Sequence, residues 1–386
     1  MLANRQRAQE VLAAAEVDAL LATTPTNLRY LGDLAPTQTS RVARPGTFWG
    51  VLPADRSRPL GLVLPARARF SLDPLLQQGV ELRCYGSPDP LFPLPADERP
   101  LAGEASGYPP RFTTAADALA DLLAALGLNG GRLALDDLTA GVVLAAGERL
   151  VFTLPTGSDL FRRVRAVKSA AEVARLRAAT VANATALQAA LAVAEPRQRW
   201  AAVEETWRRE LASAGGETLL WLGERPPSTE GGPLLQRHEL LPLVAAGTLA
   251  GYWSELGRLA VVGDRLPRAE KIATALATAL RAAVATLVPG RSCAEVEAHL
   301  AAALREQGLS PQEGCAVRGI GLELAELPAT GQAEEDLLEV GNVLVVSVAA
   351  HEVGGVTLTL SEMVLVGPAG PERLSDLPDT LLVTRG

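Results

Sequence analysis

The chain predicts two domains: an α/β domain, then a half in which helices and strands are grouped rather than alternating. Three observations carry this. At 386 residues the chain is long for one core. Strand-like and helix-like segments alternate from the start to about residue 155, the pattern of an α/β domain. Beyond that, helical periodicity dominates to about residue 215, strands and hairpins carry 240–262, two helices follow, and 311–386 reads as β with turns. The expected division is 1–158 and 159–386.

In the first half, Ala8, Val11, Leu12 and Ala15 recur at helical spacing within 3–16. The run 18–24 reads as a buried strand and leads into PTNLRYLG, where Asn27 is expected to cap a short helical turn. Segments 48–53 and 60–65 are expected strands split by the polar turn 54–58. A helix over 70–79, a strand over 80–85 and a Pro/Gly-rich loop over 86–111 follow. The strongly periodic 115–128 is a helix with Asn129-Gly-Gly as its stop, 132–135 a strand and 139–150 a helix.

In the second half, Ser169 with Glu172 three residues later is a capping box that opens the helical stretch. Residues 222–235 are a Gly/Pro-rich loop. Helices over 268–287 and 293–307 are separated by Val288-Pro289-Gly290.

Hydrophobic residues make up 48% and charged residues 21%, ordinary for a soluble globular protein. Aromatics are only 4%, so the core must be built from Ala, Leu and Val. The net charge of -8 argues against a nucleic-acid-binding or anionic-membrane surface. Lys168 and Lys271 are the only lysines among many arginines, which reads as a compositional effect. Cys84, Cys293 and Cys315 lack metal-knuckle or CxxC spacing and fit a reducing cytoplasm. The N-terminus lacks the continuous apolar run of a signal peptide, and no stretch approaches the apolar length of a membrane span.

The chemistry-bearing segments come in a fixed order. They are Asn27-Leu-Arg-Tyr30-Leu31, Arg165-Ala-Val-Lys168-Ser with Glu172, Gly251-Tyr252-Trp-Ser254-Glu255-Leu-Gly-Arg258, and Leu287-Val-Pro289-Gly290. Arg318-Gly319-Ile-Gly321-Leu322-Glu323, Gly341 to Ser347, and Leu360-Ser361-Glu362-Met-Val-Leu complete the series. In this order they resemble the creatinase, aminopeptidase P and prolidase family of pita-bread metallopeptidases, over nearly the whole chain. The resemblance implies an α/β creatinase-like N-terminal domain plus an α+β pita-bread C-terminal domain, and a homodimer.

It also implies a site. Active members hold two hard divalent cations with two Asp, one His and two Glu, and the metals activate a bridging water. Here the first Asp falls at Val244, or at Ala245 if Gly247 sets the register; the second falls at Glu255. The His falls at Arg318, and the two Glu at Ser347 and Ser361. One carboxylate of the set remains, and Arg318 puts a permanent cation beside it. Glu362 could replace Ser361 only through a bulge, because strand neighbours face opposite ways. Ala325 stands where a substrate-handling His is expected, although Glu326 remains, and Trp253 is a candidate for the pocket mouth.

No catalytic residue and no cofactor is therefore expected. The sequence reads as a pseudopeptidase that binds a peptide or protein partner; Arg318 either pairs with Glu255 as a cation standing in for the metals or is a solvated arginine on its strand. Alternatives are an active Xaa-Pro peptidase-like metallohydrolase with an altered site using Glu255, Glu326 and Glu362, and a metal-independent amidohydrolase. A Ser347–His351 nucleophile pair lacks an orienting third group. Gly319-Ile-Gly321 lacks the third glycine and the following helix of a phosphate loop.

Overall fold

The computed structural model describes residues 2–34, 47–66, 68, 79–86, 111–137, 157–222, 233–311, 315–330, 337–351 and 357–384. The expected helices over 70–79 and 139–150, and most of the loops over 86–111 and 222–235, lie outside them. The chain forms two compact units, Met1–Arg165 and Ala166–Gly386.

In the first unit, α1 (Arg5–Ala14) leads to β1 (Ala19–Ala22) and α2 (Pro25–Gly32). Strands β2 (Trp49–Pro53), β3 (Gly61–Pro65), β4 (Glu81–Tyr85) and β5 (Arg111–Phe112) precede α3 (Ala115–Ala125) and β6 (Leu133–Leu135). The sheet order is β5-β4-β3-β2-β1-β6, with β1–β6, β3–β4 and β4–β5 parallel. Strands β1, β2 and β3 are buried at every residue, as sheets covered on both faces are. The apolar stripe of α3 (Ala118, Leu119, Leu122, Leu123) packs on Leu21, Val51, Val63 and Leu133.

Two local expectations are corrected. Asn27 does not cap α2; Thr24 is the N-cap residue, and Asn27 is buried inside the helix. Its Nδ2 donates to Asp136 Oδ2 at 2.8 Å, and its Oδ1 accepts from Arg165 Nη1 at 2.8 Å. Asp136 also accepts from the amides and hydroxyls of Thr23 and Thr24 at 2.6–3.1 Å. A carboxylate thus lies at the N-terminal end of α2 and binds the two threonines that lead into it. Helix α3 stops before Asn129: Leu126 is its C-cap residue and Gly127 takes φ +65°, so the first glycine, not the Gly-Gly pair, ends it.

The helix α4 (Gly157–Ala166) runs through the expected boundary at 158/159. In the second unit, α5 (Ala170–Ala192) and α6 (Trp200–Ser213) precede β7 (Gly216–Leu222) and the hairpin β8 (Leu240–Leu249) and β9 (Tyr252–Val261). Helices α7 (Pro267–Val284) and α8 (Cys293–Glu306) follow. Then come β10 (Ala316–Gly319), β11 (Glu326–Ala329), β12 (Val343–His351), β13 (Thr357–Gly367), β14 (Gly370–Arg373) and β15 (Leu382–Val383). The Ser169–Glu172 capping box is present on α5 as expected. A second one, Ser292 with Glu295, opens α8.

The larger sheet runs β11-β10-β12-β13-β9-β8-β7, with β14 beside β13 and β15 beside β9. Two apolar cores pack against it, and along β9 they take opposite faces, Leu259 and Val261 in one and Ala260 and Val262 in the other. Leu243, Ala245, Leu256 and Ala260 pack with α5 and α6, and Val317, Leu344, Val346, Leu360 and Val364 pack with α7 and α8.

Replacing Asp136 by Ala removes the shared acceptor of the β1–α2 corner. It should cost about 2–3 kcal/mol, read as a lower urea midpoint with unchanged slope.

Candidate functional site

Strand alternation sends the residues between the core positions to the other face of the larger sheet. Register assembles them into two adjacent rows. In the first, Arg318 lies opposite Val345 and Val345 opposite Met363, whose Sδ accepts from the Glu255 amide at 3.4 Å. In the second, Ala316, Ser347, Ser361, Gly257 and Val244 are successive cross-strand partners. Val244, Glu255, Arg318, Ser347 and Ser361 therefore share one face. Ala245 is turned away, into the core under α5 and α6. Gly257 is needed in its row, because a Cβ there would lie 2.5 Å from the Ser361 amide nitrogen and 2.6 Å from its Oγ.

Arg318 and Glu255 meet across two intervening strands. In a flat sheet at ~4.8 Å per strand that is about 14 Å, so the contact relies on the coil of a twisted sheet. Arg318 Nη2 donates to Glu255 Oε2 at 2.5 Å, and Nη1 donates to the Leu324 carbonyl. The two side chains are 23% and 9% exposed. The segment carrying Leu324 is also tied to the hairpin, where the Trp253 amide donates to the Gly321 carbonyl at 2.8 Å. Trp253 itself lies two residues from Glu255, on the same face of β9, and is partly buried.

Glu326 does not join Arg318 or Glu255. Its Oε2 accepts from Lys168 Nζ at 2.5 Å, with both side chains buried. Beside them Glu172, buried at the start of α5, accepts from the Ser169 amide at 2.9 Å and the Tyr252 hydroxyl at 3.3 Å. Burial pushes the Glu172 carboxyl up to about 7; Lys168 opposes this and Glu326 adds to it. Sequence reasoning missed this cluster, although Lys168 stood out as one of two lysines.

Glu362 lies opposite Val346, on the helix-covered side, and the β12–β13 register is unbroken, so there is no bulge to bring it to the site. It accepts from Arg258 Nη2 at 2.8 Å, Arg373 Nη2 at 2.6 Å and Ser375 Oγ at 2.8 Å. Burial lowers the Arg258 pKa from its usual value, and the Glu362 charge opposes that. His238 is exposed beside Asp264, His299 is exposed on α8, and the His351 side chain lies outside what is described. Among the described residues, no group of three or more His, Cys, Asp or Glu side chains could hold a metal ion.

Residues 164–368 match metallopeptidase family M24. Among curated proteins nothing matches the chain. Its fold is similar to dipeptidase PepE from Mycobacterium ulcerans (TM-score 0.70, 23% identity, 99% of this chain and 97% of that one). It is similar to the Xaa-Pro dipeptidase from Bacillus anthracis (0.73, 16%, 98% of each chain). It is also similar to the X-Pro aminopeptidase from Thermotoga maritima (0.72, 16%, 98% and 100%). At these identities the likeness is one of fold. It bears out an α/β creatinase-like unit followed by an α+β pita-bread unit.

Two outcomes are expected. Glu172 binds its proton more tightly folded than unfolded, so its contribution is complete below about 4.5 and is lost as pH rises to about 7. That loss is about 3 kcal/mol. Glu172→Gln should remove this slope from the unfolding free energy measured at pH 5 to 8. Glu362→Ala leaves Arg258 buried and unpaired and should cost about 3–5 kcal/mol, whereas Arg258→Met with Glu362→Leu should cost less than Glu362→Ala alone in thermal unfolding.

Proposed function

The chain belongs to metallopeptidase family M24, and from that premise we propose that it is a non-catalytic member. It keeps the fold and the ligand face of an Xaa-Pro peptidase and uses them for binding a peptide or protein, or for regulation. One observation carries the reading: at the five ligand positions the sole carboxylate, Glu255, is joined to the guanidinium of Arg318. A dinuclear site of hard cations needs several carboxylate or other oxygen ligands. Val244 offers none, Ser347 and Ser361 are neutral hydroxyls, and Arg318 puts a fixed positive charge at the His position. The residues present do not fit the metals.

The altered-hydrolase alternative draws on Glu255, Glu326 and Glu362. Each already has a cation partner: Arg318, Lys168 and Arg258, respectively. The assembly proposed with this reading is a homodimer, checked by light scattering. A cytoplasmic location is proposed on the three cysteines, all free. No helix among the described residues is long and apolar enough to cross a membrane.

The test is metal content and turnover. After incubation with Mn²⁺ and Zn²⁺ and desalting, mass spectrometry should find a metal-to-chain ratio near zero, and Xaa-Pro dipeptides should stay intact. Stoichiometric metal with cleavage abolished by Glu255→Ala would overturn the proposal.

A further inference from the structure

Without metals, the face carries a ligand chemistry of its own. A guanidinium has five N–H donors. Arg318 uses one toward Leu324 and one toward Glu255; its remaining donors have no acceptor among the described residues. The side chain is 23% exposed, so solutes reach it. In the next row Ser347 and Ser361 stand directly opposite each other. Ser347 is partly exposed. Ser361 is fully buried, and its Oγ has no hydrogen-bond partner among the described residues. Buried hydroxyls are rarely left in that state, so this one marks a place where a polar partner would be favourable.

Donors on a fixed planar cation beside two hydroxyls select an oxyanion, and the guanidinium fork matches a carboxylate with two parallel bonds. Glu255 works against such a ligand: it occupies part of the fork and repels a second negative charge. We propose that this face binds an oxyanion, a carboxylate group of a peptide or organic acid, through Arg318 and the Ser347 hydroxyl with Ser361 behind it. The proposal rests on the non-catalytic reading, because it requires Arg318 rather than metal ions to hold the anion. Inorganic phosphate shares the chemistry and is the competing source.

The experiment is calorimetric titration of the full-length protein with acetyl-Ala-Ala, its C-terminal amide, and inorganic phosphate. The free acid should bind roughly tenfold or more tightly than the amide. Arg318→Gln should lose about as much, and Ser347→Ala should lose roughly threefold. Glu255→Gln should tighten binding severalfold, since it frees the fork and removes the opposing charge. A merely structural Glu255 would not produce that gain. Phosphate binding with the same dependence on Arg318, Ser347 and Glu255 would support the face with phosphate as its source. Equal affinity for acid and amide, weakening by Glu255→Gln, or no heat from any probe on folded protein would overturn the proposal. Repeating the titration in chelator separates the two readings. Binding lost with chelator sinks the non-catalytic reading, whereas binding that survives both chelator and Arg318→Gln sinks only the oxyanion face.

Discussion

Nine consecutive residue pairs join β12 to β13 without a bulge, and the chemistry of the second unit depends on that register. A slip of one residue would exchange the two faces of a strand. It would bring Glu362 to the ligand face, and it would also turn Leu360 and Val364 out of the core they share with α7 and α8. Burying an aliphatic side chain of this size is worth about 1.5–3 kcal/mol, so several together outweigh whatever one extra carboxylate could gain. The hydrophobic face sets the register, and the polar face inherits it.

Charge pairing is the second constraint. Glu255, Glu326 and Glu362 each face a cation of the chain: Arg318, Lys168 and Arg258. Such pairs add little net stability once the loss of water is counted, but losing one partner is costly. They therefore hold segments in one arrangement. Lys168 and Glu326 connect the turn before α5 to β11, and Arg258 connects β9 to Glu362 on β13 and to Ser375 and the Leu377 carbonyl beyond β14. Glu172 differs because burial, with Glu326 adding to it, holds its proton to about 7 against the pull of Lys168.

The larger sheet belongs to a fold that persists at low sequence identity. Three structures similar to the chain are 16–23% identical to it with TM-scores of 0.70–0.73. The residues that build its two apolar cores and the residues at the five ligand positions are different sets. That separation is why fold and activity have to be argued from different residues.

Much of this was legible in the sequence. Helical and strand periodicities located most elements, the Ser169–Glu172 spacing marked the start of α5, and the order of the short motifs pointed to the family. These features depend on hydrogen bonds and burial within a few residues of chain. What the sequence could not determine was which side chains meet. The choice between Val244 and Ala245, the destination of Glu362, the acceptor role of Asp136 in place of an Asn27 cap, and the Lys168–Glu326 pair across 158 residues all depended on tertiary structure. The sequence leaves Arg318 either paired with Glu255 or solvated, and contact between two residues separated by two strands depends on the coil of the sheet. Register and coil are set by the burial of apolar residues far apart in the chain, and no local pattern records them.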